Sequence, residues 1–144
     1  MPTHAEKRKL PYTQAQLFAL VAEVEKYPEF LPWCQASRIR KRDGDVFWAD
    51  LVIGFKMVKE RFTSRVALHA PSRIDVTYTE GPFKYLNNHW VFIEDPDGSG
   101  TWIDFYVDFE FRSVLLQKLM GALFGEAVVR MVTAFEERAK ALYG

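Results

Sequence analysis

TWIDFYVDFEFRSVLLQKLMGALFGEAVVRMVTAFEERAKALYG, Thr101 to Gly144, changes its hydrophobic period once, and that change decides the fold. Up to Phe111 the period is two. Ile103, Phe105, Val107, Phe109 and Phe111 alternate with Asp104, Asp108 and Glu110, as in a strand with one apolar and one wet face. Ser113 is a good N-cap residue, and beyond it Leu116, Met120, Phe124, Val128, Met131, Phe135, Ala139 and Leu142 recur every three or four residues. That stripe predicts one helix of about seven turns, long enough to cross a sheet. In its first half Leu115, Leu119, Leu123 and Ala127 add a second apolar edge. Gly121 and Gly125 share a face there at a cost of about 1 kcal/mol each relative to Ala, which predicts close packing or a hinge.

Upstream the chain supplies the rest of the sheet. Thr3 to Leu10 reads as an opening strand ended by Pro11. Thr13 and Gln16 form a capping box, and Leu17, Leu20, Val21 and Val24 make the apolar stripe of a first helix. YPEFLPWC, Tyr27 to Cys34, follows, where Pro28 and Pro32 allow at most one short helical turn between them. Asp43-Gly44 turns a hairpin between Ser37 to Lys41 and Val46 to Phe55, with Gly54 bulging or ending the second strand. Met57 to His69 carries Phe62, Ser64, Val66 and Leu68 on one face and Arg61, Thr63 and Arg65 on the other. After a turn at Ala70-Pro71-Ser72, the residues Ile74, Val76 and Tyr78 alternate in a further strand, broken by Gly81-Pro82. Tyr85 to Ile93 and Thr101 to Phe111 flank the turn-rich Asp95 to Gly100. The expected fold is α+β, a helix-grip in which a curved antiparallel sheet of about six to seven strands wraps one long C-terminal helix, with one or two short helices after the first strand.

Composition sets the bounds. A chain of 144 residues buries roughly 70% of its unfolded surface, so residues 1–144 are expected to form one domain. Aromatics reach 15%, with twelve Phe, and such bulk must line something. Lys plus Arg equals Asp plus Glu, so no overall field favours DNA; what remains is two local basic strand faces, Arg38 to Arg42 and Arg61 with Arg65, Lys56 and Lys59. The single Cys34 excludes an internal disulfide or a multi-cysteine zinc site and is read as a small buried hydrophobe. His4, His69 and His89 have no metal-ligand spacing, and GxSxG, P-loop and GxGxxG patterns are absent, so no metal site, catalytic residue or catalytic cofactor is expected. The N-terminus lacks the apolar core of a signal or transit peptide, which predicts a complete cytoplasmic protein. Val114 to Val132 contains Gln117, Lys118, Glu126 and Arg130 and should not span a membrane.

YPEFLPWC, GPFKYLNNHWVF (Gly81 to Phe92), FEFRS (Phe109 to Ser113) and AFEERAKALYG (Ala134 to Gly144) together resemble the coenzyme Q-binding family within the START and polyketide-cyclase-like superfamily. The resemblance runs from the capped first helix to Tyr143. It implies a helix-grip fold with an apolar cavity that binds ubiquinone and supports respiratory electron transport without catalysis. The same pattern is shared by a bacterial ribosome-association toxin said to act on the large subunit, so a ribosomal partner is the alternative and an aromatic polyketide cyclase the third reading.

On that fold the expected cavity comprises Phe30, Leu31 and Trp33 beside the mouth, with Tyr27, all pinned by Pro28 and Pro32. Phe105, Val107, Phe109 and Phe111 form its floor; Leu116, Leu119, Met120, Leu123, Phe124, Val128 and Met131 form its wall; Ser64, Asn88 and Trp90 are the polar candidates for orienting a quinone head. The expected partners are ubiquinone or a similar isoprenoid lipid, a transient membrane surface and respiratory complexes. Location is then the bacterial cytoplasm, in peripheral contact with the inner membrane.

Overall fold

The computed structural model describes residues 3–31, 33–55 and 58–144. Its elements run β1 (Thr3–Leu10), α1 (Gln14–Ala22), a 3-10 helix α2 (Val24–Glu29), β2 (Cys34–Asp43), β3 (Val46–Phe55), β4 (Val58–His69), β5 (Arg73–Glu80), β6 (Phe83–Glu94), β7 (Thr101–Phe111) and α3 (Val114–Tyr143). The strands form one antiparallel sheet in the order β1-β7-β6-β5-β4-β3-β2, and α3 lies across its concave face. This is the helix-grip predicted from the change of period at Phe111.

Both helix starts follow from their capping residues. Thr13 Oγ1 accepts from the Gln16 amide at 3.1 Å while Gln16 Oε1 accepts from the Thr13 amide at 2.9 Å, so the capping box is complete. Ser113 Oγ accepts from the Leu116 amide at 3.2 Å. The first helix is shorter than its stripe predicts. It ends at Ala22, and Val24 begins the 3-10 turn, which Tyr27 ties back by donating its hydroxyl to the Val21 carbonyl. The short helix therefore precedes Phe30 rather than lying between the prolines, and Pro28 opens the turn that the Phe30 amide closes onto the Tyr27 carbonyl at 3.1 Å, a position that needs no N–H. Pro32, Lys56 and Met57 lie outside the described residues.

Of the register shifts in the sheet, two bear on its outer face, and both are in β2. Register shifts occur between Cys34 and Ala36 and between Ile39 and Lys41, so the bulges expected of the β2–β3 hairpin fall on β2 rather than at Gly54. Gly54 lies opposite the first bulge, where the end of the flexible Gln35 side chain packs over it. At the second, Arg40 and Lys41 are delivered to the same outer face, where Arg40 bonds Asp50 and Lys41 covers Trp48; Arg42 then returns to the inner face and caps the Phe47 ring at 4.8 Å.

Two apolar clusters make the core. One joins α1, α2 and the second half of α3 around Leu17, Phe47, Ile74, Phe92, Phe135 and Ala139. The other joins the first half of α3 to Phe83, Phe109 and Phe111 through Met120. At Gly121 and Gly125 a Cβ would meet nothing within 4 Å, so neither close packing nor a neighbour explains these glycines. Leu142, counted in the helix stripe, is exposed, and Tyr143 takes the inward position, packing on Tyr12 and donating to the Gln16 carbonyl at 3.1 Å. An ion-paired seam runs beside the core: Arg8 on edge strand β1 pairs with Glu136 of α3 and with Glu6 at 3.0 Å.

Candidate ligand-binding cavity

Strand alternation sends one face of each strand toward α3, and the space left between them is an apolar cavity of about 220 Å³. Val24, Tyr27, Leu31 and Trp33 form one side of it, Leu51 and Ile53 of β3 and Phe62, Ser64 and Val66 of β4 the next. Ile74, Val76, Phe83, Leu86, Asn88 and Trp90 continue across β5 and β6. Phe105, Val107, Phe109 and Phe111 of β7 form the floor, and Met120, Phe124, Ala127, Val128, Met131 and Phe135 close it from α3. Rings hold the wall in shape. Phe83 stacks on Phe111 at 4.6 Å and meets Phe62, Tyr78 and Phe109 edge-on at 5.3, 5.4 and 5.6 Å. Trp90 packs against Phe105 at 4.5 Å and Phe135 at 5.2 Å.

The described lining contains no carboxylate, imidazole or amine. Its few polar atoms differ in how they are satisfied. Asn88 Nδ2 donates to the Tyr106 carbonyl at 2.8 Å, and the Tyr27 hydroxyl, whose pKa burial drives well up, is spent on Val21. Ser64 Oγ and Trp33 Nε1, in contrast, are buried with no hydrogen-bond partner. Such groups cost about 1–3 kcal/mol each, so two in one apolar wall need a reason. Cys34 is buried near the mouth; burial pushes its thiol up to about 11, although Sγ donates to the Ala36 carbonyl at 3.7 Å, and the group is a packed hydrophobe rather than a nucleophile.

Of the residues predicted from sequence, Leu31, Trp33, Phe105, Val107, Phe109, Phe111, Met120, Phe124, Val128 and Met131 line the cavity, as do Ser64, Asn88 and Trp90. Four do not. Phe30 turns away onto Tyr27 and Phe135, at 5.9 and 5.2 Å, with the Arg138 guanidinium over its ring. Leu116 and Leu123 pack on the flank of the Phe83 cluster, and Leu119 is half-buried off the cavity side. Each helical residue advances about 100°, so with Met120 and Phe124 turned inward, Leu119 and Leu123 are carried to the edge. The middle-strand wall, Leu51, Ile53, Phe62, Val66, Ile74, Val76 and Leu86, was missed as a site, although Arg61 and Arg65 on the opposite face of β4 mark which side is wet.

Among the described residues no group of three or more His, Cys, Asp or Glu could hold a metal ion, and no helix is long and apolar enough to cross a membrane.

Known proteins share this arrangement. A ribosome association toxin RatA of Rickettsia prowazekii is 41% identical over 135 residues, covering 91% of each chain. The mitochondrial coenzyme Q-binding protein COQ10 homolog B of Xenopus laevis is 34% identical over 146 residues, covering 98% of this chain and 59% of that one. The solution structure of an 18 kDa protein of Caulobacter crescentus superposes with a TM-score of 0.80 at 38% identity, covering 100% of this chain and 99% of that one. Both kinds of relative implied by the motifs are thus present. Residues 10–136 match the model of one family, and the chain belongs to it: polyketide cyclase / dehydrase and lipid transport.

Proposed function

We propose that this chain binds a lipophilic quinone of the ubiquinone class in its cavity, as a non-catalytic carrier or chaperone that supports respiratory electron transport. The observation that carries the reading is a preformed apolar cavity whose wall holds two buried donors without partners, Ser64 Oγ and Trp33 Nε1. A ring bearing carbonyl oxygens supplies acceptors to such donors while its apolar edges meet Phe105, Phe109 and Met120. At about 220 Å³ the cavity is smaller than the 300 to 1,000 Å³ usual for drug-sized ligands, so it takes a head group and the start of a tail. The remaining tail stays in lipid or against a partner. Val114 and Leu115, exposed at the start of α3, and Val129, exposed at its middle, offer apolar side chains for transient contact with a bilayer surface.

Titration with a short-tailed ubiquinone tests this reading, since a quinone seated beside Trp33 and Trp90 quenches their fluorescence. Saturable quenching that Phe109→Ser weakens at least tenfold is the expected result. Equal quenching of wild type and a folded Phe109→Ser variant would remove the cavity from the binding.

A second reading, association with ribosomes, is supported by the name of the Rickettsia relative and by the basic outer face of β2 to β4.

A further inference from the structure

The convex side of the sheet carries a feature that the cavity does not use. Asp50 is only 4% exposed although it points outward, and three arginines converge on it: Arg38 at 3.2 Å, Arg40 at 3.1 Å and Arg61 at 3.7 Å. Thr63, itself buried, donates its hydroxyl to Asp50 Oδ1 at 2.5 Å. Burial pushes the Asp50 carboxyl up, but the hydrogen bonds from Thr63 and Arg38 and the charge of Arg40 outweigh it and keep the group ionised below the ordinary range. One buried anion therefore fixes three guanidinium groups that remain largely exposed. Each has five N–H donors and gives only part of them to the carboxylate.

Further cations continue the face. The β2 bulge adds Lys41, 5.1 Å over Trp48, and strand register places Lys59 and Arg65 on the same side as Arg61. Against these cations stand Asp50 and Glu80, which accepts from Arg40 at 2.9 Å. Between them lies a shallow depression of about 400 Å³ lined by Arg40, Lys41, Trp48, Thr63, Thr79 and Glu80. A net positive, pre-positioned set of guanidinium and ammonium donors is what a row of phosphates requires.

We infer that the outer face of β2 to β4, with Arg38, Arg40, Lys41, Lys59, Arg61 and Arg65, is a docking surface for the phosphate backbone of structured RNA. The assignment deepens the second reading above, on which the choice of RNA rests. A lipid surface fits less well, because the exposed large hydrophobic residues among those described, Ile93, Val114, Leu115, Val129 and Leu142, all lie outside these strands. A second copy docking through its acidic β7 face also fits less well, since Glu110 is already paired with Lys84 at 3.0 Å and Asp108 with Thr3 at 3.0 Å.

The test is co-sedimentation of the full chain with purified large ribosomal subunits across a salt series, beside flotation with vesicles rich in phosphatidylserine. With about four phosphates contacted, affinity should fall roughly 100-fold between about 50 and 200 mM salt. Arg38→Ala with Arg61→Ala should cut subunit binding at least tenfold and lower the salt slope by about two, while leaving short-tailed ubiquinone binding unchanged. Lys59→Glu with Arg65→Glu, which do not touch Asp50, should do the same if the first pair fails to fold. Subunit binding by wild type and both variants alike would overturn the surface and leave the ribosomal reading standing. No binding of subunits by wild type would overturn that reading and the surface with it, and vesicle binding lost in the variants would assign the face to lipid instead.

Discussion

The two faces of β3 and β4 are made by the same residues counted in alternation, and they solve opposite problems. Inward, Leu51, Ile53, Phe62 and Val66 bound a cavity with almost no polar atoms, and the few polar atoms present are left unpaired or tied to backbone. Outward, Asp50, Thr63, Arg61 and Arg65 form a surface in which each buried polar atom has partners. On these two strands the unpartnered hydroxyl, Ser64, is on the dry side and the partnered one, Thr63, on the wet side. The contrast teaches that unsatisfied polarity within an apolar wall points to a ligand, whereas satisfied polarity outside, surrounding one buried carboxylate, holds cations in place.

Five substitutions test this contrast. The largest effect is expected inside: Phe83→Ala removes the ring that meets Phe62, Tyr78, Phe109 and Phe111 and should cost about 3–5 kcal/mol in urea unfolding. A cost below about 1 kcal/mol would mean that the aromatic wall is not the packed unit described here. Outside, Asp50→Ala should cost about 1–3 kcal/mol, because Thr63 loses its acceptor while the arginines can turn to water. Its pH signature has a definite sign. The folded Asp50 carboxyl titrates below its ordinary 3.8, so its contribution is complete above about pH 4 and disappears as pH falls through the depressed value. Stability curves of wild type and Asp50→Ala should therefore converge in acid; parallel curves would refute the ion-paired description.

Ser64→Ala is the sharpest discriminator between the faces. Deleting an unpartnered hydroxyl should leave the ligand-free protein as stable or up to about 1 kcal/mol more stable, and weaken short-tailed quinone binding about five- to tenfold. A loss of stability with unchanged binding would make Ser64 a structural residue. The smallest effects belong to Gly121→Ala and Gly125→Ala. Both positions open onto space, so each should stabilise the helix by about 0.5–1 kcal/mol in thermal unfolding without altering ligand binding. Destabilisation would show that these glycines serve a conformation other than the straight helix.

The fold was readable because its decisive signals are local. The alternation in Thr101–Phe111, the capping residues Thr13 and Ser113 and the stripe from Met120 to Ala139 each fix an element without knowledge of the others. The cavity was readable where an element has one buried face, as on β7 and the Met120, Phe124, Val128 edge of α3. It was misread where orientation depends on packing. Leu119 and Leu123 belong to an apolar helix edge that sequence cannot rank against its neighbour, and Phe30 turns outward because Tyr27, Phe135 and Arg138 hold it there. The outer basic site was seen only as two separate charge runs. What joins them is a β2 bulge and a long-range register that sets Arg38 opposite Asp50 and Asp50 opposite Thr63, neither of which has a short-range signature.

The cavity's occupancy is the most direct test. The protein is purified without detergent from a host that makes ubiquinone, extracted into organic solvent and analysed by mass spectrometry, with Phe109→Ser purified alongside. Near-stoichiometric ubiquinone is expected in the wild type and little in the variant. A folded wild-type protein that carries no quinone, or a variant that carries as much, would contradict it.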